Sequence, residues 1–355
     1  MTILAAHTDP VRPNSRPGGP GWQPGVPGPS EPDWRRELRQ AVRDPVELCR
    51  LLGLAGEPAR QAALATADFP LFVPRGYLAR MKYGDPADPL LRQVLPLAEE
   101  AIPVPGYEAD PVDDEGARRT AGLLQKYPGR ALLITTGACA IHCRYCFRRH
   151  YPYAEAPKSL AAWEPALAEI AADDSLHEVL LSGGDPLVLV DGFLAALAAR
   201  VAAIPHVRRL RIHTRLPIVI PERVCDELLA WLAGTRLAPY VVVHANHPAE
   251  LDDAVAGALK RLVEAGVVVL NQAVLLAGVN DRGDVLAELC ERLVDLRVIP
   301  YYLHQLDRVA GAAHFDVPQD VGLRLVQGLA ARLPGYAVPR YVREVPGAAN
   351  KTLII

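Results

Sequence analysis

The sequence predicts an α/β protein, a partial (β/α)6 barrel preceded by an N-terminal helical extension. Three observations predict it. Beyond Arg130, short apolar runs suited to strands recur with starts about 27 to 47 residues apart, the room needed by a parallel strand, a crossover helix and a return. Alanine- and leucine-rich stretches at helical spacing lie between them. Each run ends in a polar or glycine-bearing motif, and in a parallel β/α barrel the chemistry gathers at the carboxyl ends of the strands. A doubly wound open sheet is the competing architecture for the same alternation.

Residues 1–32 hold eight prolines and five glycines with few large apolar residues, too little buriable surface to offset ordering entropy, so they read as a disordered lead-in. Residues 33–126 read as a helical region. Trp34, Leu38 and Val42, then Val46, Leu48, Leu51 and Leu52 follow helical spacing, with Asp44-Pro45 marking a restart, and helices interrupted by prolines are expected as far as Lys126. The barrel is expected over 127–355. Its strands are Ala131–Thr135, Glu178–Ser182, Arg209–His213, Tyr240–His244, Val267–Gln272 and Val298–Leu303; the helices between them are Leu160–Ala172, Gly192–Ala203, Glu222–Leu232, Leu251–Ala265 and Val285–Leu296. The strand ends run into Thr136-Gly137, Ser182-Gly183-Gly184-Asp185, His213-Thr214-Arg215, His244-Ala245-Asn246, Asn271-Gln272 and His304-Gln305-Leu306-Asp307.

Composition removes several function classes. With 38 basic against 41 acidic residues the net charge is −3, so no positive field exists to hold a nucleic-acid backbone. No apolar run approaches the ~20 residues of a spanning helix, and no charged start precedes an apolar block, so neither a membrane span nor a signal peptide is expected. The expected location is the cytoplasm, where the six cysteines stay reduced and free to bind metal. Cys49, Cys225 and Cys290 fall at apolar positions of helical stretches and read as small core residues.

Cys139, Cys143 and Cys146 form a CxxxCxxC loop directly after the first barrel strand. Zinc would need a fourth ligand, for which His142 is the candidate, whereas three thiolates on an iron–sulfur cluster leave one iron open for catalysis. The loop resembles the signature of the radical S-adenosylmethionine superfamily. That resemblance implies a [4Fe-4S] cluster whose open iron chelates S-adenosylmethionine and whose electron cleaves it to a 5′-deoxyadenosyl radical. Ser182-Gly183-Gly184-Asp185 supports it, because paired glycines let a backbone approach a ligand closely. By the resemblance this motif receives the methionine amino group, and His244 and Gln272 line the same cofactor. A satisfied core histidine is the other account of His244.

The resemblance narrows to the lysine 2,3-aminomutase family through Asp88-Pro-Leu-Leu-Arg-Gln-Val94, Cys143-Arg-Tyr-Cys-Phe-Arg-Arg-His150, Arg211-Ile-His-Thr-Arg-Leu-Pro217 and the Pro-Gly loop that delivers Lys351. A lysine so near the chain end is ordinarily only solvated. By the family match, Lys351 is the Schiff-base lysine of pyridoxal 5′-phosphate, and Tyr127, Arg130 and Lys126 are candidates for its phosphate. Arg148 matches the residue that holds the substrate carboxylate, the alternative being a surface arginine in a basic run. Asp307 and Glu344 match the two acids that grip the substrate ε-ammonium, with Glu344 one methylene longer than the aspartate of the free-lysine enzymes. Two acids imply a cationic side chain; lysine is expected and arginine stays open.

Pro300-Tyr-Tyr-Leu-His-Gln-Leu-Asp307 with Gly311-Ala-Ala-His-Phe315 looks most like the branch that makes (R)-β-lysine for elongation factor P. The implied partners are L-lysine, a reductant protein such as flavodoxin or ferredoxin, and an elongation factor P ligase that uses the product; a homodimer is a further expectation. A free-standing lysine or arginine aminomutase is the second functional reading, and a metal-bearing binding module without turnover the third.

Overall fold

The computed structural model describes residues 33–64 and 69–355, so the lead-in expected over 1–32 lies outside the described residues. Five short helices open the described chain: α1 (Asp33–Arg39), α2 (Pro45–Leu51), α3 (Glu57–Leu64), α4 (Arg75–Leu78) and α5 (Pro89–Arg92). Asp44 caps α2 through the Glu47 amide, and Asp88 caps α5 by accepting from the Leu90 and Leu91 amides at 2.9 and 2.8 Å. The second cap fixes the turn that delivers the buried Gln93 to the barrel mouth.

The helical expectation stops short of Lys126. After a 3-10 turn at Ala98–Ala101 the chain is irregular, and it then forms the strands β1 (Arg118–Thr120) and β2 (Leu123–Leu124). Gly106, Gly116, Gly122 and the prolines of this stretch leave no run long enough for a helix to repay its nucleus.

The sheet follows chain order without exception, β1 to β10. Its parallel part is β3 (Arg130–Thr136), β4 (Glu178–Gly183), β5 (Arg209–Thr214), β6 (Ala238–Val243), β7 (Val268–Val274), β8 (Ile299–His304) and β9 (Arg340–Arg343). β1 and β2 add antiparallel strands at one edge, and β10 (Thr352–Leu353) pairs antiparallel with β9 at the other. The crossovers are carried by α6 (Glu164–Ala172), α7 (Asp191–Ala202), α8 (Leu216–Val219) with α9 (Asp226–Gly234), α10 (Asp253–Glu264), α11 (Gly283–Asp295) and α12 (Gln319–Arg332). This is the partial β/α barrel the alternation predicts, with a seventh parallel strand that the sequence reading does not count.

Strands covered on both faces read as continuous apolar runs, and Val179, Leu180 and Leu181 of β4 are buried in succession. On α10, Val255, Ala258, Leu259 and Leu262 form the buried stripe expected of a helix laid on a sheet. Cys49 and Cys290 are buried in this core, while Cys225 sits half-buried at the start of α9, beside Asp191 and Arg223. No helix among the described residues is long and apolar enough to cross a membrane.

Candidate active site

The carboxyl ends of the parallel strands open on one cavity of about 280 Å³. Every residue the family resemblance points to lines it: Cys139, Cys143 and Cys146 after β3; Ser182, Gly183, Gly184 and Asp185 at the end of β4; His244 and Gln272 beyond β6 and within β7; Asp307 after β8; Glu344 and Lys351 on the β9–β10 hairpin; and Lys126, Tyr127, Arg130 and Arg148.

The cysteine loop is clamped from outside the barrel. The Arg144 amide donates to the Gln93 carbonyl at 2.9 Å, and Arg144 and Arg149 both pair with the buried Glu100. His142 does not face its cysteines: Nδ1 lies 2.7 Å from the Pro70 carbonyl and the ring stacks on Phe69 at 5.0 Å. The fourth ligand of the zinc alternative is therefore engaged elsewhere. Among the described residues no three His, Cys, Asp or Glu side chains converge on a single-ion site. Burial pushes the Cys139 thiol well above the ordinary range and that of Cys146 up to about 11, with the neighbouring cysteines adding to both. Such thiols ionise when a bound metal supplies the positive charge.

The two glycines act through close approach. Gly183 has φ +120°, and a Cβ there would lie 2.5 Å from the Thr136 carbonyl oxygen; one on Gly184 would lie 2.3 Å from that of Ala138. With these atoms missing, the Gly184 and Asp185 amides donate to Thr136 O and Ala138 O at 2.7 and 2.8 Å, drawing the end of β4 against the cysteine loop. Asp185, expected among the cofactor contacts, has both carboxylate oxygens engaged within the protein: Oδ1 accepts from Thr214 Oγ1 and the Leu187 amide, Oδ2 from the Arg215 and Leu216 amides. Burial raises its pKa to about 6 against those four donors. Its part is to fix the loops around the glycines.

His244 combines its two readings, since it lines the cavity and is also satisfied, with Nε2 at 3.1 Å from the Tyr145 hydroxyl. Burial, then Arg215, lowers its pKa to about 3, so it is a neutral ring at working pH.

Charged side chains of both signs line the cavity. Arg148 is buried, not a surface residue; it donates to Asp114 through Nε at 2.6 Å and to Ser182 Oγ through Nη1 at 3.1 Å. Asp114, which sequence reasoning missed, also takes Lys126 at 2.8 Å. Burial pushes the Asp114 carboxyl up, but Arg148 and Lys126 outweigh this and hold it below its usual range. Lys126 is thereby occupied by Asp114 and the Val112 carbonyl, which leaves Arg130, stacked over Tyr127 at 4.5 Å, as the cation for a phosphate among the three candidates.

The pairing of Thr352 with Arg343 sets Lys351 beside Glu344, and Nζ lies 2.5 Å from the Glu344 carboxylate, which also accepts from the Tyr127 hydroxyl and has Lys126 Nζ at 3.9 Å. Burial raises the Glu344 carboxyl, yet Lys351 outweighs it and holds it low. Asp307 accepts no side-chain hydrogen bond among the described residues, and burial lifts its pKa to about 6 despite Lys351. His213 and His304 also line the cavity, and burial drives both pKa values well down. Their strand-end positions flagged them in the sequence, but nothing there assigned them a role.

A model of the Radical SAM superfamily matches residues 133–290. The chain is 45% identical over 325 residues to the L-lysine 2,3-aminomutase of Escherichia coli (strain K12), an alignment covering 91% of this chain and 95% of that one. The chain belongs to the lysine 2,3-aminomutase family. The lysine 2,3-aminomutases of Haemophilus influenzae and Clostridium subterminale are 42% and 34% identical, the alignments covering 91% of this chain in both cases and 96% and 78% of theirs. A solved radical SAM methyltransferase from Sphaerobacter thermophilus aligns over 62% of this chain and 68% of its own, with 20% identity and a TM-score of 0.42.

As a radical SAM aminomutase the protein is an enzyme whose cofactors are an iron–sulfur cluster, S-adenosylmethionine and pyridoxal phosphate. The residues fit those groups. Three thiols share one cavity wall with a glycine pair folded against them, and a lysine and an arginine that could hold an aldehyde and a phosphate line the same space.

Proposed function

We propose that the enzyme converts L-lysine to (R)-β-lysine, moving the amino group from C2 to C3, and that the product serves the modification of elongation factor P. The observation that carries the substrate reading is that one cavity is lined both by a fork-shaped cation, Arg148, two residues beyond Cys146, and by the two acids Asp307 and Glu344. A diamino acid offers a carboxylate to the one and an ammonium to the others. When bound, the cluster and S-adenosylmethionine supply a hydrogen-abstracting radical, and pyridoxal phosphate carries the migrating nitrogen.

The side chains of this chain supply position. Cys139, Cys143 and Cys146 would hold the cluster, and Gly183 and Gly184 would leave room for the methionine end of S-adenosylmethionine, beside His244 and Gln272. Lys351 would bind pyridoxal phosphate, with Arg130 and Tyr127 at its phosphate side. Arg148 sits two residues beyond Cys146, so its grip on the substrate carboxylate would tie the α-end of lysine to the radical source. Asp307 and Glu344 would hold the ε-ammonium, and the ammonium of Lys351 already occupies one of them. L-arginine is the second substrate to assay, because another cavity of about 460 Å³ adjoins Asp307 and Glu344 and has Glu108 and Asp316 in its wall. The proposed setting is the cytoplasm, with flavodoxin or ferredoxin as reductant and a homodimer as the assembly.

The test is anaerobic. The full chain is reconstituted with iron, sulfide and pyridoxal phosphate, reduced with dithionite, and given S-adenosylmethionine with L-lysine or L-arginine; products are resolved by chiral chromatography with mass detection. (R)-β-lysine at a higher kcat/KM than any arginine product is the expected result, and its acceptance by an elongation factor P ligase supports the destination. S-adenosylmethionine cleavage with both amino acids unchanged would overturn the substrate reading.

A further inference from the structure

A buried arginine that neither the family match nor the sequence reading gives a role touches the cysteine loop. Arg215 follows β5 and is 6% exposed. Its Nη1 donates to Cys143 Sγ at 2.7 Å, and Nη2 reaches Gln93 Oε1 at 2.7 Å, Glu250 Oε2 at 2.8 Å and the Tyr77 hydroxyl at 3.2 Å. Glu250 is fully buried, and its other oxygen accepts from Gln93 and from the Asn246 and His247 amides. Asp185 grips the Arg215 backbone amide at 2.7 Å. The backbone is thus held by Asp185 and Nη2 by three acceptors, while Nε has no partner among the described residues and Nη1 gives its one hydrogen bond to the sulfur.

We propose that Arg215 is a positioning residue that tunes the cluster, donating to the Cys143 thiolate so that the added electron is better tolerated. This rests on the assignment of Cys139, Cys143 and Cys146 as cluster ligands. Hydrogen bonds to ligating sulfurs, together with net charge and exposure, set the reduction potential of a cluster, because reduction adds negative charge that a fixed donor stabilises. The fork geometry matters. Only a guanidinium can give one nitrogen to sulfur and another to Glu250, whereas a lysine ammonium at the same place is a single point. An arginine serving the fold alone could pair with Glu250 and Tyr77 without reaching the thiol.

The experiment reads the potential, which a purely structural role would not move. Full-length wild type, Arg215→Lys and the charge-paired double variant Arg215→Gln/Glu250→Gln are reconstituted anaerobically with iron and sulfide. The midpoint of the cluster is then followed by electron paramagnetic resonance during a redox titration without substrate. The expected result is a cluster about tenfold harder to reduce in both variants, a midpoint lower by about 59 mV for one electron. An unchanged midpoint in whichever variant carries a cluster overturns the proposal. So does loss of fold in both variants, which would assign Arg215 to structure alone. A wild type that binds no iron would instead overturn the cysteine assignment itself, an outcome told apart by iron and sulfide analysis.

Discussion

Replacing Asp307 with asparagine should pull stability and substrate binding in opposite directions. The Asp307 carboxyl is raised from an ordinary 3.8 to about 6 by burial, only partly offset by Lys351. Holding this carboxylate charged therefore costs the folded protein at most about 3 kcal/mol above pH 6, at 1.36 kcal/mol per tenfold change in proton affinity and less whatever the solvent reaching this half-buried group screens. The sign follows from linkage. A carboxyl whose folded pKa lies above its unfolded one costs nothing below about pH 4, where both states are protonated, and the cost grows as pH rises through the window from about 4 to 6. Asparagine abolishes it, so Asp307→Asn should be the more stable protein at pH 8, by up to about 3 kcal/mol, and should lose roughly half of that advantage at pH 5. In the proposed function the same variant would lose one of two acids at the ε-ammonium of lysine. With Glu344 still present the loss belongs at the low end of the 2–5 kcal/mol range for truncating a buried charge pair, about thirtyfold in kcat/KM. Denaturant unfolding of the full chain between pH 5 and 8, paired with steady-state kinetics on L-lysine, measures both. A variant that is less stable than wild type at pH 8, or one with unimpaired kcat/KM, would refute the account of Asp307 as a destabilising acid kept for a cation.

Three further outcomes follow from the same geometry. Lys351→Ala should lose the absorbance of lysine-bound pyridoxal phosphate and all turnover while keeping the iron content of wild type, as read by absorption spectra and metal analysis. Arg148→Lys keeps charge but loses the fork, so kcat/KM for lysine should fall roughly ten- to a hundredfold, from the 1.5–3 kcal/mol of a hydrogen bond to a charged group. Gly184→Ala would set a Cβ 2.3 Å from the Ala138 carbonyl oxygen, so the end of β4 must leave the cysteine loop at about 1–3 kcal/mol; S-adenosylmethionine affinity should weaken on equilibrium dialysis more than pyridoxal phosphate affinity does.

The barrel was legible because its strands carry their own signal. Arg130–Thr136 and Glu178–Gly183 differ by only a residue or two from the ranges the apolar runs suggest. β9 and β10 escaped because four and two residues are too few for any periodicity to emerge, and α12 because only Gly322 and Leu329 of its fourteen residues are buried. The site residues were visible wherever a spacing constrained them, as in the cysteine loop and the paired glycines. Asp114 was not, since Asp110, Asp113, Asp114 and Glu115 are indistinguishable on paper, and only the fold turns one of them onto Arg148 and Lys126. Asp185 shows the reverse failure. A motif placed it beside the glycines correctly, but which way its carboxylate faces depends on Thr214 and on the Arg215 and Leu216 amides, contributed by the next strand end.

The distribution of charge explains how a cavity lined by so many buried and half-buried ions remains foldable before any substrate enters it. An isolated buried ion is costly, and each of the strongest here has an internal counterpart: Arg148 with Asp114, Lys126 with Asp114, and Lys351 with Glu344. In the proposed function lysine would present an anionic group to Arg148 and an ammonium to the acids, so its binding would exchange internal pairs for external ones instead of creating new buried charge. Asp307 is the exception that gives this exchange a direction. Its carboxylate accepts no hydrogen bond among the described residues, and its raised pKa marks ionisation held back by burial. In the proposed function an incoming ε-ammonium relieves that penalty while a neutral side chain does not, and discrimination against uncharged amino acids of the same length then arises from the cost already built into the empty site.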